Sequence, residues 1–371
     1  MSSDGPGTYR VGIAGAGIGA RYARSFQTVP GVEVVAICAA SRERSEPVAR
    51  ELGIPAVYTS FNAMLAECAL DVVVVATPND LHHSQTLAAI EAGAHVVCDK
   101  PLALDSAQAR DLLDAATRRG VRTIIPFWLR FVPALVRARE LLAGGSLGPP
   151  AFVDVRFLNC GWGDPEGPMR WQFERARAGS GALSNIGSHA IDALHWLGGD
   201  VRRICATTAI TVGVRHWPDG REARPDADDT AAFVAELANG APVCFLASHV
   251  AYTTRSAFSL AVHCRAGSVT ISLDTTAADP RGHLTVMRRG DEAPHDEPLP
   301  ASAHAPANGG LVDGPYNAIA RELIDAIRER RAASPDFADG LRVQDTIDAA
   351  LASVASGGWA AVPAGGTGKE R

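Results

Sequence analysis

Tyr9-Arg10-Val11-Gly12-Ile13-Ala14-Gly15-Ala16-Gly17-Ile18-Gly19-Ala20 is the stretch on which the fold turns. Six residues of strand character run into a glycine-rich turn, and helical spacing follows over about Ile18–Thr28. The glycines fit G-x-G-x-x-[G/A]. The first makes the turn, the second lets a pyrophosphate approach the backbone, and a small third residue, Ala20, lets helix and strand pack closely. The helix N-terminus then presents N–H groups and a positive dipole end to phosphate, with Gly15, Gly17, Ile18 and Gly19 closest. A glycine-rich turn that binds nothing is the competing reading, and the context around it weighs against that.

Outward from the turn, short segments rich in Val and Ile recur: Val32–Cys38, Ala56–Tyr58, Val72–Ala76, His95–Cys98 and Arg122–Ile125. Helical patterns separate them at about Ser41–Leu52, Phe61–Cys68, Leu81–Ala92 and Asp105–Arg118. Continuous apolar strands between amphipathic helices predict a parallel sheet covered on both faces, doubly wound because such crossovers are right-handed. That domain is expected over 1–126 and a second over 127–362, as a length of 371 residues suggests. In the second, helices are expected at Phe131–Ala143 and Leu183–Leu197 and a strand at Ala151–Leu158. Strand-like runs follow at Arg202–Val214, Ala231–Leu237, Val243–His249, Phe258–Cys264, Ser268–Leu273 and Leu284–Met287, which without intervening helices predict an antiparallel sheet. A surface loop at 291–315, closing helices at Pro315–Arg331 and Leu341–Ser356, and a mobile tail at 363–371 complete the reading.

Composition narrows the function classes. Lys and Arg number 35 against 41 Asp and Glu, a net charge of −6 with no basic block, so a nucleic-acid groove is disfavoured. The seven cysteines form no Cys-x-x-Cys, and His216, His295 and His304 lack ligand spacing, so no metal is expected. Met1 to Gly7 has no apolar signal stretch, and the longest apolar run, Val34 to Ala40, is far short of a bilayer span. A soluble cytoplasmic protein is expected.

The end of the second strand bears on the nucleotide. An NAD enzyme usually places Asp or Glu there to bind the ribose hydroxyls, and here the chain reads Cys38-Ala39-Ala40-Ser41-Arg42. A small hole, a hydroxyl and a guanidinium suit a ribose 2′-phosphate, so NADP(H) is favoured, with NAD(H) possible. The competing reading has Ser41 capping a helix and Arg42 solvated. Asp99-Lys100-Pro101 lies past the fifth strand, at the carboxyl edge where ligands of such sheets bind, and Lys100 there can hydrogen-bond a substrate hydroxyl. On the later helix His189 shares a face with Asn185 and Asp192, and a histidine so placed can take the proton of an alcohol. By itself a helical histidine is more often packed.

Those motifs resemble the family of glucose–fructose oxidoreductase, inositol dehydrogenase and rhizopine-catabolism oxidoreductases (Gfo/Idh/MocA) over nearly the whole chain. Gly15–Ala20, Thr77-Pro78-Asn79 with Leu81-His82, Cys98–Leu102, Arg130-Phe131-x-Pro133, Gly181–Asp192 and Asp339-Gly340-Leu341-Arg342 carry the likeness. It implies a Rossmann domain followed by an α/β domain with an open, mostly antiparallel sheet. It also implies a catalytic lysine at Lys100, often before a cis proline peptide, and a proton-relaying histidine at His189. Thr77, Pro78, Asn79 and His82 are placed by it near the cofactor. Asp99 stands where the family has Glu, and Asn185 where it has Asp. An amide can hydrogen-bond substrate but cannot take a proton or stabilise imidazolium by charge.

The implied activity is NADP(H)-dependent hydride transfer to or from a secondary alcohol or ketone of a sugar, cyclitol or sugar derivative. Relatives often form dimers or tetramers through the open sheet. Trp128 and Arg130 are candidates to line the sugar site. Trp162, Trp171 and Arg170 could stack on or clamp a polyol, although packing or solvation is the favoured reading for these three. Two other functions remain open: a glycosidase working by transient oxidation on a retained nicotinamide, and a non-catalytic nicotinamide or sugar sensor.

Overall fold

The computed structural model describes residues 8–252, 256–276, 281–299 and 313–364. The chain divides into two units, Met1–Pro126 with Asp313–Leu341, and Phe127–Val312 with Arg342–Arg371.

The first unit is built on strands β1 (Tyr9–Ala14), β2 (Val32–Cys38), β3 (Ala56–Tyr58), β4 (Val72–Val75), β5 (His95–Cys98) and β6 (Thr123–Ile124). Helices α1 (Gly19–Gln27), α2 (Arg42–Leu52), α3 (Phe61–Glu67), α4 (His82–Glu91) and α5 (Ser106–Arg119) connect them. All pairs are parallel, in the order β3-β2-β1-β4-β5-β6. β-Branched side chains suit strands covered on both faces, and all four valines of β4 are buried. Local signals set the helix ends. Asp105 Oδ1 accepts the Gln108 N–H at 2.8 Å to start α5, and Ser60 Oγ accepts that of Ala63 to start α3. The strand order reverses between β1 and β4, which places the ligand crevice of such sheets outside their carboxyl ends.

The same unit includes α10 (Asp313–Arg328), so the division does not follow the expected boundary at 127–362. The reason is nonlocal packing. Tyr316 lies 5.0 Å from Tyr22 of α1, centroid to centroid, Arg328 donates to Pro30 O, and Pro335 O accepts the Ile125 N–H at 3.0 Å.

The second unit contains α6 (Pro133–Ala143), β7 (Pro150–Asn159), α7 (Arg175–Ala178), α8 (Ala182–Asn185) and α9 (Gly187–Leu197). Its remaining strands are β8 (Val201–Ala209), β9 (Arg215–His216), β10 (Glu222–Ala223), β11 (Thr230–Leu237), β12 (Pro242–Ser248), β13 (Ser256–Cys264), β14 (Gly267–Asp274), β15 (His283–Arg288), β16 (His295–Asp296) and β17 (Ala360–Ala361). Helix α11 (Phe337–Ser356) precedes β17. Among the described residues, nine strands form one sheet, in the order β16-β15-β14-β13-β7-β12-β11-β8-β17. The buried α9 packs over β7, β12 and β13, and α6 over β14 and β15.

The sheet is mostly antiparallel, as the resemblance implies, with β7 and β12 pairing in parallel. Two expectations for this unit change. The helix expected over Leu183–Leu197 is divided at Ile186, and its start is anchored by Asp228, whose carboxylate accepts the N–H groups of Gly181 and Leu183. The strand expected over Arg202–Val214 ends at Ala209, where the Asp229 carboxylate draws in the N–H groups of Thr211 and Val212 at 2.6 and 3.2 Å. Part of the expected loop, 300–312, and the end of the expected tail, 365–371, lie outside the described residues, as does His304.

Candidate active site

The glycine turn after β1 assigns each glycine a different constraint. Gly15 has φ +105°, and a Cβ there would stand 2.1 Å from the Ala76 carbonyl oxygen, so the turn hugs the end of β4. A Cβ on Gly19 would meet Ile13 Cγ2 at 2.9 Å, which makes Gly19 the point of tight helix–strand packing; Ala20, expected in that role, is buried beside it. A Cβ on Gly17 would meet nothing within 4 Å. An open glycine at a helix N-terminus fits a dinucleotide pyrophosphate, because neither turn nor packing otherwise requires glycine there.

At the end of β2, Cys38 and Ala39 are buried and no carboxylate stands at the strand's carboxyl end. Ser41 has extended backbone before α2, and its side chain makes no capping bond. Its hydroxyl instead holds the Glu43 carboxyl below its ordinary range. The Arg42 guanidinium, 61% exposed, pairs with Glu46 at 3.2 Å.

The loops after β4 and β5 are bound together by His82. Nδ1 lies 2.8 Å from Pro101 O and Nε2 3.0 Å from Thr77 O. Both partners are carbonyl oxygens, which can only accept, so making both hydrogen bonds requires two N–H groups and therefore an imidazolium. Burial works against that charge; the neighbouring Cys98 sulfur, the Asp99 carboxylate and the Pro101 carbonyl outweigh it and push the pKa up to about 9. The ring is fully buried, so the expected cofactor contact is replaced by bracing of the two loops beside it. Thr77 Oγ1 donates to Gln85 at 2.8 Å, Asn79 is buried and Pro78 is half-buried.

Asp99 performs a similar task on the other side of Lys100. Its Oδ1 accepts the Lys100 N–H at 2.9 Å and the Tyr22 hydroxyl at 3.0 Å. The Lys100–Pro101 peptide is cis. Burial lowers the proton affinity of the Lys100 ammonium from the ordinary lysine value, and the Asp99 carboxylate opposes that shift. This combination suits a group that must donate a hydrogen bond strongly.

In the second unit, His189 is buried with its ring edge-on to Phe127 and Trp128, at centroid distances of 6.1 and 5.8 Å. Arg130 and Asp192, expected as separate substrate groups, are paired with each other. Nε donates to Oδ2 at 2.9 Å and Nη2 to Oδ1 at 2.6 Å, with both side chains buried. Opposite charges buried this deeply stabilise each other in a two-bonded geometry. The pair ties the turn carrying Trp128 to α9, and so braces the rings around His189.

Trp162 is also engaged, stacked on His249 at 3.7 Å and edge-on to Phe173 at 4.9 Å. Trp171 is half-buried and Arg170 exposed. The loop carrying Trp162 is fastened by the buried Arg215, which donates to Asp164 O at 3.0 Å, to Gly167 O at 3.1 Å and to Trp162 O, and lies over the Phe173 ring.

His249 is the functional candidate absent from the sequence reading. Its Nε2 lies 3.2 Å from Asn185 Oδ1 and its Nδ1 2.7 Å from Asn159 Oδ1. The only sequence signal was a polar residue closing the apolar run Val243–His249. Among the described residues, no group of three or more His, Cys, Asp or Glu side chains is placed to hold a metal ion, and no helix is long and apolar enough to cross a membrane.

Comparison with known proteins agrees with this geometry. Residues 9–127 match the oxidoreductase family with an NAD-binding Rossmann fold, and residues 135–270 the GFO/IDH/MocA C-terminal domain. The chain is 28% identical over 365 residues to levoglucosan dehydrogenase of Pseudarthrobacter phenanthrenivorans, covering 91% of this chain and 92% of the relative. It is 35% identical over 201 residues to D-xylose 1-dehydrogenase (NADP(+)) 2 of Haloferax volcanii, covering 54% and 60%. The structure of levoglucosan dehydrogenase in complex with NADH and L-sorbose superposes with a TM-score of 0.88 at 27% identity, over 96% of this chain and 99% of that one. With its glycine turn, Lys-Pro edge motif and helical histidine, the chain belongs to the Gfo/Idh/MocA family and is an NAD(P)-dependent oxidoreductase acting on CH–OH groups.

Proposed function

We propose that the protein is an NADP(H)-dependent dehydrogenase of a sugar, cyclitol or sugar derivative, interconverting a secondary alcohol and its ketone. The observation that carries this reading is the fixing of Lys100 at the carboxyl edge of β5, by Asp99 on one side and the His82 brace on the other, in the same unit as a glycine turn open at Gly17. Gly15, Gly17, Ile18 and Gly19 would hold the pyrophosphate, and Thr77, Pro78 and Asn79 would flank the nicotinamide. Bound nicotinamide supplies the hydride acceptor or donor.

The chain's own groups do the rest. Lys100 orients and polarises the reacting oxygen, an electrostatic task that lowered proton affinity favours. His189 relays the hydroxyl proton, its ring held by Phe127 and Trp128. Asn185 hydrogen-bonds the substrate, and Trp171 borders it. The nucleotide preference rests on Ser41 and Arg42. Exposed pairs such as Arg42–Glu46 contribute only about 0.3–0.5 kcal/mol, so a 2′-phosphate accepting a bidentate guanidinium would displace Glu46. The NADP(+) named for one relative supports this, and the NADH bound to another keeps NADH as the alternative cofactor. Association into dimers or tetramers would use the outer face of the nine-stranded sheet, where Val234 is 47% exposed.

Fluorescence titration with NADPH and NADH tests the preference, and equal or tighter NADH binding removes it. A panel of sugars, inositols and ketosugars read at the nicotinamide absorbance band tests the reaction. Lys100→Ala and His189→Ala should each lower turnover about 100-fold or more. Cofactor binding without turnover on any member of the panel refutes the dehydrogenase reading.

A further inference from the structure

A carboxylate has two equivalent oxygens, whereas an amide has a donor end and an acceptor end. At Asn185, where the resemblance implies an Asp, the chemistry depends on which end faces the ligand, and something must choose. The parallel pairing of β7 with β12, Leu158 beside Ser248, brings Asn159 and His249 out at the same end of the sheet as neighbours. Asn159 Oδ1 accepts the Gly161 N–H at 3.0 Å, which identifies that atom as the acceptor. The His249 Nδ1 beside it, at 2.7 Å, is therefore protonated. His249 is 5% exposed, and its plane is held by the Trp162 ring, stacked at 3.7 Å and tilted by 22°. Its backbone is pinned as well: its N–H donates to Asp229 O and its carbonyl accepts from Trp162 N–H.

With Nδ1 committed, Nε2 is left to address Asn185, whose Oδ1 stands 3.2 Å from it in this structure with the amide's donor end turned away. A neutral ring offers a lone pair there and selects the amide N–H, so that the carbonyl is the end turned to the ligand. A charged ring offers N–H and selects the amide oxygen, turning the donor end outward.

We propose that His249, oriented by Asn159 and Trp162, is the positioning residue that decides which end of the Asn185 amide meets the substrate. The inference rests on the reading of Asn185 as a substrate ligand. It explains how an amide can stand at this position and remain specific: the symmetric group is replaced by an asymmetric one together with a rigid neighbour that sets its sense.

The test is a double-mutant cycle on the full chain with cofactor, using the substrate found in the panel screen. His249→Phe keeps the ring against Trp162 and removes both nitrogens. It should lower kcat/KM about tenfold with Asn185 present, the worth of one well-made hydrogen bond. In the Asn185→Asp background, where no end needs choosing, the loss should shrink to about twofold. Equal losses in both backgrounds mean that His249 only packs, and overturn the proposal. If either variant fails to fold by circular dichroism, ¹⁵N NMR of the histidine-labelled wild-type protein decides: a proton on His249 Nδ1 is required, and a ring protonated on Nε2 alone overturns it. His189→Ala separates the two levels. Activity surviving that change refutes the proton-relay role given to His189 and with it the placing of the substrate beside Asn185. Activity lost there but untouched by His249→Phe refutes this inference alone.

Discussion

His82 provides the sharpest test of how the nucleotide-binding unit holds its working loops. Its two nitrogens bond two carbonyl oxygens, at 2.8 and 3.0 Å, with no solvent access to the ring. The proton that makes both bonds possible is held with a pKa near 9, against an ordinary value of 6.5. A folded-state pKa above the unfolded one means that the folded chain binds the extra proton. The stabilisation is complete below pH 6.5, falls by about 1.4 kcal/mol per pH unit between 6.5 and 9, and is gone once the folded ring has also titrated. The whole effect is about 3 kcal/mol. Denaturant unfolding of the wild type and of His82→Phe, from pH 6 to 10, measures it as the pH-dependent part of the difference between the two curves. That difference should shrink by about 3 kcal/mol as the pH rises. NMR titration of the ring in the native protein checks the cause directly. A stability difference that does not vary with pH, or a ring that titrates below 7, refutes the imidazolium brace.

Four further outcomes rest on the same structure. Gly15→Ala forces a Cβ to within 2.1 Å of a backbone oxygen at positive φ and should destabilise the fold by more than about 2 kcal/mol. Gly17→Ala should leave the melting temperature of the free protein nearly unchanged and weaken dinucleotide binding, as thermal shift with and without NADPH will show. Arg130→Met leaves the Asp192 carboxylate buried without its bidentate partner and should cost about 3–5 kcal/mol in denaturant unfolding, whereas Arg130→Met with Asp192→Leu should recover much of the loss. Arg42→Ala should raise the NADPH dissociation constant about tenfold and leave that for NADH within about twofold, measured by fluorescence titration.

The chemistry of the first unit was legible because its signals are local. A strand, a glycine turn and a helix follow one another within twelve residues, and valine-rich strands alternate with helices, of which α5 is opened by Asp105 and α3 by Ser60. Lys100 and His189 could be singled out in the same way, from a motif at a strand end and from helical spacing. What each polar group is bonded to was not legible, because the partners come from distant parts of the chain. Arg130 meets Asp192 across 62 residues, His249 meets Asn159 across 90, and Tyr316 packs on Tyr22 from the far end of the sequence. The chain order alone could not place α10 with the nucleotide-binding unit, nor show that β7 and β12 run parallel. Residue types thus determined which groups could carry hydride and proton chemistry. Only the packing decided which of them are already spent on one another, because in a water-poor interior each donor and charge must be matched by whatever the fold brings alongside.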